Sequence, residues 1–125
     1  MRKKLKPFEG KRFRVLTQIG HFGERKGYKG YKKNTVLLRK VQKWKTGAKL
    51  TDHLWMDVGK QFQELGAVEL DIIAFDARVE KYVKGYRGSR TDIEAWKIRE
   101  DNPVKIDYRL VYPTKFELVE LGTNH

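Results

Sequence analysis

The chain has 125 residues, with 28 Lys and Arg against 16 Asp and Glu, a net charge of +12 and no cysteine. This length predicts a single domain with a hydrophobic core, and the lack of cysteine excludes disulfides, thiolate metal sites and a cysteine nucleophile. The six Phe, six Tyr and three Trp argue against a disordered chain.

The positive charge is concentrated in the first part of the sequence. Residues 1–49 hold 17 Lys and Arg against Glu9 and Glu24, whereas residues 50–125 hold 11 against 14 acids. Such a one-sided excess steers a polyanion toward one surface. We find no basic amphipathic helix for a membrane surface, no signal peptide and no apolar run that could span a bilayer. The pattern therefore favours nucleic acid as the partner, no membrane, and a location in the cytoplasm, or in the host cytoplasm for a virus-encoded protein.

The most distinctive stretch is Gly23–Asn34, GERKGYKGYKKN, which contains five Lys or Arg, two Tyr and three Gly. It is too polar for a core and too rich in glycine for a stable helix, so we predict a mobile loop. Lys and Arg neutralise phosphates and Tyr stacks on bases, which suits a nucleic acid. The alternative is a solvated hairpin turn whose charges only aid solubility.

The first half of the chain predicts three strands. Residues 1–10 form a basic flexible arm in this interpretation. Arg12 to Phe22 alternates apolar and polar residues, which is typical of a half-buried strand. Thr35 to Trp44 predicts a second strand that pairs with the first as a long hairpin and has a cationic exposed face. His53 to Asp57 predicts the third.

One short helix should follow the third strand. Val58, Phe62 and Leu65 have the spacing of a single apolar stripe along a helix. Asp57 is the predicted N-cap, and Gly66 is the predicted C-terminal stop.

The second half of the chain predicts two more strands. Asp71 to Tyr82 alternates cleanly between apolar and polar residues. A long connection, Lys84 to Val104, contains a segment from Thr91 to Glu100 that suits either a short helix or a paired strand. Ile106 to Tyr112 predicts the last strand, which Pro113 should interrupt, and Phe116 to Leu121 suits a continuation as an edge segment.

Three strands, a helix and two strands, with long loops after strands 1 and 4, is the order of an OB-fold. This fold is a five-stranded Greek-key barrel, here with its helix between strands 3 and 4, over residues 11–121, with 122–125 as a tail. The segments NTVLLRKV, DHLWM, DIIAFDARVEKYVKG and DYRLVYPTK resemble small OB-fold proteins that bind single-stranded nucleic acid, including those of phages and mobile elements. The resemblance covers about residues 11–115. It implies a single-stranded DNA-binding protein in replication or recombination.

The predicted binding surface combines cations with stacking platforms, and we expect no catalytic residue, metal or cofactor. Tyr82 and Trp96 are further stacking candidates, and packing at the barrel end is an equally good interpretation of a strand tryptophan. The predicted contacts are Arg12, Arg14, Lys26, Tyr28, Lys29, Tyr31, Lys32, Lys33, Arg39, Lys43, Trp44 and Trp55, with Tyr86, Arg87 and Arg90 on the facing loop.

Three alternatives stay open. One is an RNA-binding OB domain, since the sequence does not address the 2′-hydroxyl. Another is an interaction protein whose acidic C-terminal half docks a protein partner. The third is a small metal-dependent nuclease, which would need converging carboxylates. The candidate acids are Asp52, Asp57, Glu69, Asp71, Asp76 and Glu80.

Overall fold

The computed structural model describes residues 2–84 and 105–122. Within these residues the chain is mainly β, as predicted, with two short 3-10 turns at Lys6–Phe8 and Tyr28–Gly30. The longer elements are β1 Arg12–Lys26, β2 Lys32–Lys43, β3 Lys49–Asp57, α1 Lys60–Leu65, β4 Ile72–Lys84 and β5 Lys105–Glu120.

The strands form one antiparallel sheet in the order β3-β2-β1-β4-β5. In the described part of the chain no backbone ladder joins the edge strands β3 and β5, so the sheet is unclosed rather than a complete barrel. The two edges nevertheless approach one another, with Cα atoms within 8 Å. Phe62 of α1 packs on Phe116 of β5 with ring centroids 5.5 Å apart. At this point side chains, not backbone hydrogen bonds, join the helix that follows β3 to the opposite edge.

The core lies on the inner face of the curved sheet, where alternate residues point inward. The alternation predicted for β4 is confirmed, because its inward residues are fully buried. Each such large apolar side chain stabilises the fold by about 1.5–3 kcal/mol. The fully buried residues of β1, β2, β3 and β4 include Val15, Ile19, Val36, Leu38, Leu54, Ile73, Phe75 and Val79.

Residues 2–10, which belong to the segment expected as a flexible arm, contact the sheet and the core through Leu5, Phe8 and Gly10. Leu5 is fully buried in the core. The rings of Phe8 and Phe13 meet edge to face at 5.2 Å, and the Gly10 amide donates to the Val79 carbonyl at 2.8 Å. Leu5 and Phe8 are isolated apolar residues in a basic stretch, which is a weak sequence signal, and only the tertiary contacts show that they pack in and against the core.

The predicted loop Gly23–Asn34 is instead mostly strand. β1 continues to Lys26 and β2 begins at Lys32, and the two stay in antiparallel register up to that pair. Only Gly27–Tyr31 forms the turn. The sequence prediction of a long mobile loop is therefore wrong, and the hairpin alternative describes the backbone correctly.

Two glycines explain why the prediction of a mobile loop is wrong, because glycine is common in flexible loops. A Cβ on Gly23 would lie 3.1 Å from the Trp55 ring, and one on Gly27 would lie 2.9 Å from the Tyr31 carbonyl oxygen. Another group approaches the backbone closely at both positions, and most closely at Gly27. They are close-packing positions within a hairpin.

The helix differs from the prediction at its start. It begins at Lys60 rather than Val58, and its N-cap is Gly59. Asp57 therefore does not cap it; its carboxylate is bonded elsewhere, as described below. Gly66 ends the helix in the left-handed conformation, with φ of 70°, as predicted.

The last strand is not interrupted at Pro113, and its predicted continuation from Phe116 is confirmed up to Glu120. β5 continues past Pro113 to Glu120, and Tyr112 and Lys115 take positive φ values of 52° and 55° where the register with β4 shifts. Pro113 is tolerated because β5 is an edge strand and the segment is irregular. The predicted alternatives for Thr91–Glu100, and the tail after residue 122, lie outside the described residues.

Candidate nucleic-acid interface

A groove of about 930 Å³ runs between the two sheet edges, and we call it the β3–β5 groove. Its walls come from the ends of β1 and β2 next to the hairpin turn, the end of β3, the beginning of α1 and the middle of β5. Its lining includes cations, aromatic rings and two acids. Its lining residues include Arg2, Arg25, Lys33, Trp55, Asp57, Lys60, Phe62, Glu80, Tyr82, Arg109, Tyr112 and Phe116.

The charges in the groove are only partly balanced. Arg25 holds Asp57 in a two-pronged salt bridge, with Nε to Oδ1 at 2.8 Å and Nη2 to Oδ2 at 2.6 Å. Arg109 pairs with Glu80 at 3.4 Å. Lys33 and Lys60 form no ion pair with any residue that the structure describes. The groove therefore offers two uncompensated ammonium groups to an anion.

The Asp57 carboxylate stays ionised because of its surroundings. The hydrogen bond from Arg25 is the main cause that holds the pKa of Asp57 below its ordinary value, and it outweighs the opposing effect of partial burial. The charges of Arg25, Lys33 and Arg109 act in the same direction. Asp57 thus adds a permanent negative charge to an otherwise cationic wall.

The groove also presents aromatic faces. Trp55 is 49% exposed although it packs over Gly23, and Tyr112 is 68% exposed. The Arg109 guanidinium lies over the Tyr82 ring, 5.1 Å from its centroid. Exposed rings beside free cations are the pairing that single-stranded nucleic acids use.

The cationic hairpin, residues 23–35, stands at one end of the groove. Lys26 faces Lys32 directly across the ladder, and Arg25 faces Lys33. Like charges in these positions repel and destabilise the pairing. Lys32 is partly balanced by Glu24, with 3.6 Å between Nζ and Oε2. A polyanion bound here would relieve the remaining repulsion.

Tyr31 is the aromatic residue that the hairpin turn exposes most clearly, with 74% of its surface open. Lys29 lies in the same turn with φ of 57°. The side chain of Tyr28, and all of Tyr86, Arg87 and Arg90, lie outside the described part of the structure. The predicted facing loop therefore stays a prediction.

A second group of predicted contacts lies away from the groove. Arg14 pairs with Asp76 at 3.1 Å and with Glu117 at 2.9 Å, and its guanidinium is 5.7 Å from the Trp44 ring centroid. These groups are at the opposite end of the β1–β2 ladder from the hairpin turn. Their charges are engaged within the protein.

Three more predicted cations also lie outside the groove. Arg12 donates to the Tyr112 carbonyl at 2.8 Å and to the Thr114 hydroxyl. Lys43 places its ammonium 4.6 Å from the Phe8 ring centroid. Arg39 is exposed on β2 and covers Gly20. The structure therefore brings together Lys33 and Trp55 of the predicted set beside the hairpin, and separates Arg12, Arg14, Arg39, Lys43 and Trp44 from them.

The sequence missed several groove residues. Arg25 and Lys60 are basic but were not singled out, and Tyr112 and Arg109 belong to the half of the chain that has a net negative charge. No local pattern identifies them, since they meet β3 only through the curvature of the sheet. Their exposure beside Pro113 and along an edge strand is the one signal that could have suggested them.

The candidate acids are dispersed rather than convergent. In the part of the chain that the structure describes, no group of three or more His, Asp or Glu residues is placed to hold a metal ion. Asp71 accepts the amides of Val68 and Gly122, and Asp52 pairs with Lys49. Asp76 and Glu80 form cross-strand ion pairs, as their alternation on β4 predicts.

Among the described residues, no helix is long and apolar enough to cross a membrane. In comparison with known proteins, no protein-family model, curated protein or solved structure matches the chain.

Proposed function

We propose that the chain is an OB-fold protein that binds single-stranded nucleic acid, DNA in preference to RNA, in replication or recombination. The strand order supports the fold. β1 pairs with both β2 and β4, β3 and β5 are the edges, and α1 separates β3 from β4 in the chain. An OB-fold is a partly open five-stranded barrel that binds oligonucleotides over strands 2 and 3, between the loops after strands 1 and 4.

The β3–β5 groove is the observation that carries this proposal. Lys33 and Lys60 leave two charges for phosphates, and Trp55 and Tyr112 expose rings that line the same groove. Stacking of a base on an aromatic ring contributes about 1–3 kcal/mol and does not depend on which base is present. In a duplex the base faces are already stacked on one another, so these rings favour a single strand. Binding should therefore be sequence-tolerant apart from any dedicated pocket.

The direct test is a fluorescence anisotropy titration at several salt concentrations. Labelled single-stranded DNA, single-stranded RNA and duplex DNA of equal length are compared. We expect the single-stranded DNA to bind most tightly, and log K to fall linearly with log salt by about 0.7 for each phosphate neutralised. Equal affinity for the duplex, or no dependence on salt, would contradict the proposal. A Mg²⁺ arm with the same strands detects cleavage, the outcome expected of a nuclease.

A charge-matched set of variants links the result to the groove. Removing Lys33 and Lys60 together should reduce the salt slope by about 1.4, because two phosphate contacts are lost. Lys45→Ala with Lys81→Ala removes two exposed lysines that do not line the groove and serves as the charge-matched control. It should leave the slope almost unchanged.

A further inference from the structure

We propose that a pocket beside the groove receives one nucleobase and prefers adenine to thymine. The inference rests on the proposed function and adds a base preference to it. The pocket has a volume of about 450 Å³ and lies between the β1–β2 hairpin and α1. This volume is within the range of small-molecule sites, about 300–1,000 Å³.

The pocket opens from the β3–β5 groove. Thr35, Val58 and Phe62 line both spaces. A strand that follows the groove can therefore turn one base aside into the pocket without leaving its phosphate contacts. This continuity is why the occupant is a base of the bound strand and not an unrelated small molecule.

The walls of the pocket suit a flat ring. Phe22 is 46% exposed on β1, an unusual position for a large apolar side chain, and its ring is 6.2 Å from that of Phe62 at an interplanar angle of 68°. Phe62 itself is buried in the core. Phe22 thus offers an accessible face held in place by a fixed neighbour, the arrangement that base stacking needs.

The rim carries the hydrogen-bonding groups. Asn34 and Gln63 line the pocket, and in the described structure neither side-chain amide bonds to another residue. An amide pairs with adenine through two bonds, donating to N7 and accepting from the 6-amino group. Glu24 adds a carboxylate acceptor at the same rim. The 6-amino group of adenine has two N–H bonds and can donate to an amide oxygen and to the Glu24 carboxylate at once, whereas thymine has a single N–H, so these acceptors favour adenine over thymine.

The test uses oligothymidine with a single substituted base. Because the strand can shift its register, one adenine is enough to fill the pocket. We expect a dT strand with one central adenine to bind at least about fivefold more tightly than the same strand with thymine throughout. Replacing that adenine by unsubstituted purine, which lacks the 6-amino group, should remove the gain.

Variants separate the pocket from the groove. Asn34→Ala with Gln63→Ala, and separately Phe22→Leu, should abolish the adenine preference while leaving most of the binding to oligothymidine. Gln42→Ala removes an amide elsewhere on β2 and should keep the preference. Thermal unfolding of each variant shows whether the fold is intact.

The outcomes distinguish the two proposals. Equal binding of the adenine and thymine strands, with strong salt-dependent affinity for both, overturns the base pocket and leaves the single-strand function standing. A preference that survives in the double amide variant also overturns the pocket. No binding of either strand overturns both.

Discussion

Arg25 on β1 forms a two-pronged salt bridge with Asp57 at the end of β3, and it donates to both carboxylate oxygens, at 2.8 and 2.6 Å. The salt bridge crosses β2 and fastens the cationic hairpin to the edge of the sheet. It also keeps one arginine of the groove engaged with a carboxylate. A bound phosphate would compete with Asp57 for Arg25. Asp57 should therefore lower the affinity of the groove for a nucleic acid.

Asp57→Asn is therefore expected to strengthen binding. The substitution removes a negative charge from the groove and releases Arg25 to a phosphate, which should steepen the salt slope by about 0.7. Because both side chains are about half exposed, loss of the pair should lower the free energy of unfolding by less than about 1 kcal/mol. Anisotropy titrations across salt concentrations measure the first effect, and urea unfolding measures the second.

The control for Asp57 is Asp52→Asn. Asp52 is also an exposed acid on β3, but it pairs with Lys49 and does not line the groove. It removes the same net charge from the protein. If both variants bind equally more tightly, overall charge and not competition within the groove is the cause.

The two exposed tryptophans provide a second prediction. Trp55 and Trp44 are exposed to similar extents, 49% and 42%, but only Trp55 lines the groove. Trp55→Leu should weaken single-strand binding by about 1–3 kcal/mol through the loss of one stacking platform. Trp44→Leu should leave it nearly unchanged, as measured by anisotropy on the same strands. Equal losses would show that the site extends to the opposite end of the hairpin.

The strands could be predicted from the sequence because their signal is local. Alternation in β4 depends only on residues adjacent in the chain, and its apolar positions are the buried ones. The groove could not be predicted in the same way. Trp55 and Tyr112 line it from opposite edges of the sheet, and only the curvature of five strands brings those edges together.

The hairpin and the first ten residues show a different limit. Composition suggested flexibility for both, since glycine and lysine are common in loops. Backbone pairing depends on what lies opposite, and Gly23 pairs with Thr35 in the ladder with the Trp55 ring close above it. Leu5 is similar, since a single apolar residue becomes part of the core only where the sheet leaves room for it.

Gly23→Ala tests the close packing of the hairpin. The new Cβ would lie 3.1 Å from the Trp55 ring, so the indole must shift by a few tenths of an ångström. We expect a change in tryptophan fluorescence and weaker binding to a single strand. In the Trp55→Leu background the same substitution should have little further effect, because the contact is gone. Additive losses in this double-mutant cycle would contradict the assignment.

Leu5→Ala tests whether the first ten residues belong to the folded domain. Leu5 is fully buried, so truncation should cost about 2–5 kcal/mol of unfolding free energy through lost burial and a residual cavity. Val68→Ala, at an exposed position, should change stability by less than about 0.5 kcal/mol. Urea unfolding compares the two. If both substitutions lower the free energy of unfolding by equally small amounts, this segment is a flexible arm and not part of the folded domain.

The last prediction concerns the anchor of the same segment on β5. Asp107 is buried and accepts the backbone amides of Arg2 at 2.7 Å and of Tyr108 at 2.8 Å. The Arg2 guanidinium reaches its second oxygen at 3.2 Å. Burial acts to raise the pKa of Asp107, but these amide bonds and the charge of Arg2 outweigh it and hold the pKa below the ordinary 3.8.

A depressed pKa in the folded state means that the contribution of Asp107 is complete above its ordinary pKa and is lost as pH falls through the lower folded value. Stability measured by urea unfolding should therefore fall below about pH 4 in the wild type. Asp107→Asn can still accept the two amide bonds but cannot ionise, so it should be less stable at neutral pH and lose less between pH 4 and pH 2. Other carboxylates titrate in the same range, which is why the difference between the two proteins is the quantity to measure. If that difference stays constant across the range, the charge on Asp107 does not hold the N-terminal segment to β5.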